Sequence, residues 1–226
     1  MEICTLDRAQ VSALLPVRKA DSHKGTYGKL LLLCGSKGYT GAAALAAMGA
    51  LRSGAGLVYL GVPECIYAIE AVKLTEPVVL PLPCKGDTLS SQAAANICNM
   101  LPNMDAVLIG PGLGCSEGTL SAVKTVLENF SGTVVLDADG INVLSQHKDL
   151  LRGRTSPTIL TPHPGEFQRL GGSCILPREE AAAAMAQDLG VVVVLKGHRT
   201  VFTDGVRCYQ NPTGNPGMAV GGSGDV

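Results

Sequence analysis

An α/β architecture, a central mostly parallel sheet flanked by helices, follows from three features of this 226-residue chain. Short apolar runs alternate with helical stretches. The runs are continuous in Val and Leu instead of alternating with polar residues. Almost every run ends in glycine or a polar cluster. Unbroken apolar strands imply cover on both faces, and strand–helix alternation implies parallel pairing.

The first run covers residues 29–34 (KLLLLC), and a small-residue helix follows over 42–52. Residues 57–62 (LVYLGV) form the next run, broken by Pro63. Residues 105–109 (DAVLI) lead into a Gly-Pro-Gly turn and a helix over 117–129. Residues 133–136 (TVVL) run into Asp137, and 158–160 (TIL) into Thr161. An Ala-rich helix over 177–189 opens on Arg178-Glu179-Glu180, an acid-bearing first turn, and 191–195 (VVVVL) follows at once. Residues 200–203 and 206–210 flank Asp204-Gly205, a hairpin signal. Residues 1–26 read as a peripheral helix with a lead-in loop. Without internal repeats or a Pro/Ser-rich linker, residues 1–226 are expected to form one domain.

Composition excludes several functions. Net charge is -1, from 18 basic and 19 acidic side chains, so no long-range field favours nucleic acid or an anionic membrane. Aromatic content of 4% without Trp argues against a base-stacking surface. The most apolar window, residues 41–61, is interrupted by Arg52 and glycines and reads as a helix and a strand, not a membrane span. The start, MEICTLDRAQ, is not a signal peptide. Eight cysteines at irregular spacing, without a C-x-x-C pair, fit reduced thiols of a cytoplasmic protein. The 28 glycines, about 12% against a usual ~7%, point to tight turns or loops pressed against a ligand.

Ligands in such sheets sit beyond the carboxyl ends of the strands, so the segments after each run carry the function. They are Gly35-Ser36-Lys37-Gly38-Tyr39-Thr40-Gly41-Ala42, Gly110-Pro111-Gly112-Leu113-Gly114, Asp137-Ala138-Asp139-Gly140-Ile141-Asn142, Thr161-Pro162-His163-Pro164-Gly165-Glu166 and Lys196-Gly197. The chain closes with Gly221-Gly222-Ser223-Gly224-Asp225-Val226. Such a glycine loop binds phosphate through backbone N–H groups when it opens a helix, and Asp225 beside it is a base for an attacking hydroxyl. The bland alternative is an ordinary loop with Asp225 as a helix cap. No G-K-[ST] occurs, so the loop is not a Walker A motif, and Gly112-Leu113-Gly114 lacks the third glycine of the dinucleotide fingerprint.

A glycine loop ending in Asp near the carboxyl end of an α/β chain resembles the anion hole of ribokinase-like proteins. Six segments, among them IGPGLG, VVLDADGIN, ILTPHPGEF, VVVLKG and NPTGNPGMAVGGSGDV, resemble NAD(P)H-hydrate dehydratases, in family order from about Gly28 onward. The resemblance implies a ribokinase-like fold and dehydration of NADHX or NADPHX at the expense of ADP or ATP with Mg2+. Ala42, Gly112 or Gly114, His163 and Asp225 match hydrate-binding positions. Lys196, Gly197, His198, Arg199, Thr200 and Gly224 match nucleotide-binding positions. Beside these, Asp139 and Asn142 are placed on the substrate side by their position after a strand, Gly221, Gly222 and Ser223 in the phosphate loop, and Asp225 as the catalytic base. Ser36, Lys37 and Tyr39 are expected in a loop over the substrate, and Asp137 in a polar site role. Glu166 is either a helix-start carboxylate or a site residue. No residue is assigned as a metal ligand.

Relatives continue past Asp225 with further helices, so an incomplete carboxyl terminus with its last helices missing is expected. A separate NAD(P)H-hydrate epimerase is the expected pathway partner, and a homo-oligomer, tetrameric in relatives, the expected assembly. Two rivals stand beside this reading: a small-molecule kinase of the same fold, and a nucleotide-binding remnant without activity.

Overall fold

The computed structural model describes residues 3–224. In chain order the elements are β1 (Ile3–Thr5), α1 (Arg8–Leu14), β2 (Lys29–Leu33), α2 (Thr40–Arg52), β3 (Leu57–Pro63), α3 (Glu64–Lys73), β4 (Val78–Leu82), β5 (Cys84–Lys85), β6 (Thr88–Leu89) and α4 (Ala93–Met100). They continue as β7 (Ala106–Ile109), α5 (Glu117–Asn129), β8 (Thr133–Leu136), α6 (Asp139–Asn142), α7 (Asp149–Arg152), β9 (Thr158–Leu160), α8 (Pro164–Arg169), α9 (Arg178–Leu189), β10 (Val192–Leu195), β11 (Val201–Thr203) and β12 (Cys208–Gln210).

Ten strands form one sheet in the order β1-β12-β11-β10-β9-β8-β7-β2-β3-β4. Only β11 runs against its neighbours, β10 and β12. The sheet is therefore mostly parallel, as its apolar runs foretell, and the hairpin forms around Asp204-Gly205. Sequence order reverses between β2 and β7, which pair in parallel from Leu30↔Ala106 to Leu33↔Ile109. Beyond their carboxyl ends lies the crevice where such sheets take ligands.

The two faces of the sheet differ. On one, α4, α5, α7 and α9 close a large core around Leu31, Leu33, Val107, Ile109, Val134, Leu136, Leu160 and Val193. On the other, α2 and α3 cover β2 and β3 through Ala43, Ala46, Ala47, Ile66, Leu32, Val58 and Leu60. The expectation of strands covered on both faces holds for β2, where Leu31, Leu32 and Leu33 are all fully buried. It fails for β8, β9 and β10, where Val135, Ile159 and Val194 are only half-buried between buried neighbours. The helices packed on that face, α2 and α3, lie mainly over β2–β4. Valine fills both sides of those strands because β-branched side chains suit a pleated backbone whether or not both faces are covered.

One sequence expectation needs an addition, and two regions carried no expectation at all. The amino-terminal region holds a short strand, β1, which pairs in parallel with β12 besides the helix α1. Helices α3 and α4 and strand β4 fall in a stretch where no apolar run stood out. The small β5–β6 hairpin is separate from the main sheet. Among the described residues, no helix is long and apolar enough to cross a membrane, and no disulfide joins any of the eight cysteines.

Candidate functional site

The carboxyl ends of the central strands form a lip that is stitched together pair by pair. Between β2 and β7, the Gly35 amide donates to the Pro111 carbonyl at 2.8 Å and the Ser36 hydroxyl to the Gly112 carbonyl at 2.7 Å. Gly112 has φ of +65°, and a Cβ there would lie 2.9 Å from the Cβ atoms of both Ala42 and Tyr39. The backbone of one loop thus rests directly on the first turn of α2. That close approach requires glycine.

Between β7 and β8 the link is Asp139, whose Oδ2 accepts from the Gly114 amide at 2.8 Å. Its Oδ1 accepts from Asn142 Nδ2 at 3.3 Å and from the Cys115 thiol at 3.4 Å. Burial, and then the Asp139 carboxylate, pushes the Cys115 thiol up to about 11, which keeps it protonated as a donor. Arg169 of α8 donates to Asn142 Oδ1 at 2.9 Å and ties α6 to α8.

Asp137 serves the other side. This buried carboxylate accepts from Thr161 Oγ1 at 2.7 Å and pairs with Lys196 Nζ at 2.6 Å, both on Oδ1. Asp137 and Asp139 can serve opposite neighbours because Ala138 between them has φ of +47° and ψ of -116°. For an L-residue this conformation costs about 1–3 kcal/mol, and it turns two carboxylates of one short segment toward different loops. Glycine at 110 permits the neighbouring crossing. A Cβ there would sit 1.8 Å from the Asp137 carbonyl oxygen.

The last links join β9 to β10 and β10 to the chain's final loop. The Lys196 amide donates to the Pro162 carbonyl at 2.8 Å. A Cβ on Gly224 would come within 3.8 Å of Lys196 Nζ, and one on Gly222 within 2.8 Å of Leu45 Cδ1 of α2. The glycine loop therefore lies beside both Lys196 and Leu45 of α2. Residues 221–224 are a succession of turns in an exposed segment. Asp225, expected as the base, lies outside the described residues.

The sequence of this chain matches the family model of NAD(P)H-hydrate dehydratase over residues 30–226. The chain belongs to that family. It is 42% identical over 222 residues to the ADP-dependent (S)-NAD(P)H-hydrate dehydratase of Bacillus subtilis, covering 96% of this chain and 75% of that protein. It is 43% identical over 228 residues to a bifunctional NAD(P)H-hydrate repair enzyme of Moorella thermoacetica, covering 98% of this chain. This chain spans only 43% of that relative's length. Among solved structures, the ADP/ATP-dependent NAD(P)H-hydrate dehydratase of Bacillus subtilis, co-crystallized with ATP and Mg2+, superposes with a TM-score of 0.81 at 36% identity, covering 100% of this chain and 78% of that one. A ribokinase-like protein of Enterococcus faecalis gives a TM-score of 0.86 at 28% identity, covering 99% and 76%. The α/β, ribokinase-like expectation is thereby established.

Within this dehydratase fold the residues singled out in sequence fall into two groups. Ala42, Gly112, Gly114, Asp139 and Asn142 are joined directly or through one neighbour around β2, β7 and β8. Lys196, Gly197, His198, Arg199 and Thr200 form the turn after β10, where the Thr200 hydroxyl donates to the Gly197 carbonyl at 3.0 Å. His163 stands between the groups and caps α8. Its Nδ1 accepts from the Gly165 amide at 3.0 Å and the Glu166 amide at 3.4 Å. Glu166, buried, accepts from the His163 amide at 2.8 Å and lies 3.2 Å from its Nε2. Glu166 is thus a helix-start carboxylate that holds the histidine. Lys37 and Tyr39 are exposed at the rim, with Lys37 paired to Asp87 at 3.2 Å, while Ser36 is buried and structural. Sequence reasoning missed Ala138, Thr161, Arg169 and Arg178 as parts of the lip's frame. Of these, Ala138 and Thr161 carried a signal, their place in the segments right after apolar runs.

Proposed function

We propose that this chain dehydrates the S epimer of NADHX or NADPHX, with ADP or ATP as phosphoryl donor, and so returns NADH or NADPH. One observation carries the reading: the loop 221–224, immediately before Asp225, lies against both the Lys196 side chain and Leu45 of α2. A donor nucleotide on the β10 side and an alcohol on the β2–β7 side then meet under one glycine loop.

The chemistry starts from a poor leaving group. Asp225 takes the proton of the C6 hydroxyl as its oxygen attacks the terminal phosphorus, and AMP or ADP departs. The amides of Gly221, Gly222, Ser223 and Gly224 face the charge that develops on the phosphoryl group. The ring nitrogen's electron pair then expels phosphate from C6, and loss of a C5 proton restores the dihydropyridine. On the substrate side, Ala42, Gly112, Gly114 and Asp139 supply a close-packed floor with His163 at its edge. On the donor side, Lys196 through Thr200 hold the nucleotide.

Among the described residues no group of three His, Cys, Asp or Glu side chains stands together to hold a metal. Mg2+ commonly uses one or two carboxylates with phosphate oxygens and water, which fits an ion carried in on the nucleotide as part of the substrate. An NAD(P)H-hydrate epimerase is the pathway partner that supplies the S form. The whole of residues 1–226 acts as one dehydratase domain, in the cytoplasm, in keeping with the irregular cysteine spacing.

The test mixes the protein with NADHX, ADP and Mg2+ and follows the absorbance band of NADH. A nucleotide-dependent rise is expected, and Asp225→Asn should cut turnover by about 10²–10⁴-fold while ADP still binds. A flat trace with wild-type protein that binds both ligands would refute the reading. Turnover of another alcohol alone would point to a kinase instead.

A further inference from the structure

Arg178 opens α9, where a cation opposes the helix dipole. Its side chain does not turn to the solvent. One arm, Nη2, donates to the Leu195 carbonyl at 2.9 Å and the Lys196 carbonyl at 3.1 Å, and the other, Nη1, to the His198 carbonyl at 2.8 Å. Three carbonyls from four consecutive residues are thus gathered on one guanidinium, a planar fork that ammonium cannot reproduce. A trans peptide points its N–H opposite to its C=O. Drawing the Lys196 and His198 carbonyls toward Arg178 therefore turns the Gly197 and Arg199 amides away from it.

The backbone records the same constraint. Gly197 has φ of +147° and Arg199 φ of +56°. A Cβ on Gly197 would stand 3.0 Å from Arg178 Nη2. Neither conformation is one an ordinary side chain prefers, so the turn needs an outside group to hold it.

We infer that Arg178 is a positioning residue for donor binding: it folds residues 195–199 so that the Gly197 and Arg199 amides face the nucleotide phosphates beside the Lys196 side chain. The inference rests on the functional reading above, which puts the nucleotide at residues 196–200. Arg178 touches no reacting atom in this scheme. It acts by fixing the direction of backbone dipoles before the ligand arrives.

Titration calorimetry with ADP and Mg2+ on wild type, Arg178→Gln, Arg178→Lys and Gly197→Ala tests it, alongside thermal melts and KM for NADHX. Arg178→Gln should weaken ADP binding at least tenfold and leave the hydrate KM within twofold, a split that general loosening of the fold would not produce. Arg178→Lys should recover part of the loss. Unchanged ADP affinity in folded Arg178→Gln, or an equal rise for both ligands, overturns the inference. If Arg178→Gln gives no cooperative melt, Gly197→Ala decides. It crowds the same guanidinium with the arginine in place and should show the same selective loss; normal ADP binding there overturns the inference. Wild type that binds no ADP removes the functional reading and this inference with it. Wild type and variants that bind alike remove this inference alone.

Discussion

The two ends of the lip are built by different means. On the β2–β7–β8 side, backbone packs on backbone: Gly110 against the Asp137 carbonyl, Gly112 against Ala42 and Tyr39. Nothing there can shift alone. On the β10 side, an exposed turn is held by side chains reaching in, Lys196 to Asp137 and Arg178 to three carbonyls, under a loop of glycines. A Cβ on Gly221 would meet nothing within 4 Å. One end is a preformed floor, and the other is a clamp whose shape depends on a few long cations. Under the proposed function, such a division would hold the hydrated nicotinamide ring on a fixed floor while the clamp exchanges a nucleotide at every turnover.

Three substitutions probe the contrast. The largest effect is expected for Gly110→Ala, which needs a Cβ 1.8 Å from a carbonyl oxygen at φ of +134°. It should cost about 4 kcal/mol or more, read as a collapsed urea midpoint. A loss under about 1 kcal/mol would show that the floor yields. Lys196→Ala should come next, with nucleotide affinity down by roughly 10–100-fold for one charged hydrogen bond of about 1.5–3 kcal/mol and hydrate affinity changed less. The reverse ranking would erase the division into two ends. Smallest is Gly221→Ala, expected within about 0.5 kcal/mol of wild type in stability. A large destabilisation there would mean that the glycine loop is packed as tightly as the floor.

Much of the sheet could be read before any coordinates. Residues 133–136 and 158–160 became β8 and β9 without change, and 117–129 became α5. These segments are legible because a continuous apolar strand or a capped amphipathic helix writes its own period. The short strand Ile3–Thr5 is exposed and exists only because β12 offers it an edge, so no local pattern announces it. Helix α3 carries few apolar anchors, and buries Glu70 whose carboxyl is raised by desolvation despite Lys73 at 3.2 Å. The site showed the same split. Glycines and post-strand aspartates were visible because residue type and position coincide there. The roles of Arg169 and Arg178 were invisible, since a surface-type residue becomes a brace only through partners far along the chain. Ala138 was hidden for another reason: nothing in alanine announces a left-handed backbone.

The lone reversed strand, β11, has a consequence for the whole architecture. β10 ends at the lip, β11 runs away from it, and β12 runs back, its ladder continued by the Asn211 amide on the Thr200 carbonyl at 2.9 Å. The chain's last segment is thus delivered to the rim where the lip stands. The rule is one of parity: after β10, an even number of extended segments brings the final loop home, and an odd number strands it on the opposite rim. A homologue that lengthens its sheet here must do so two strands at a time.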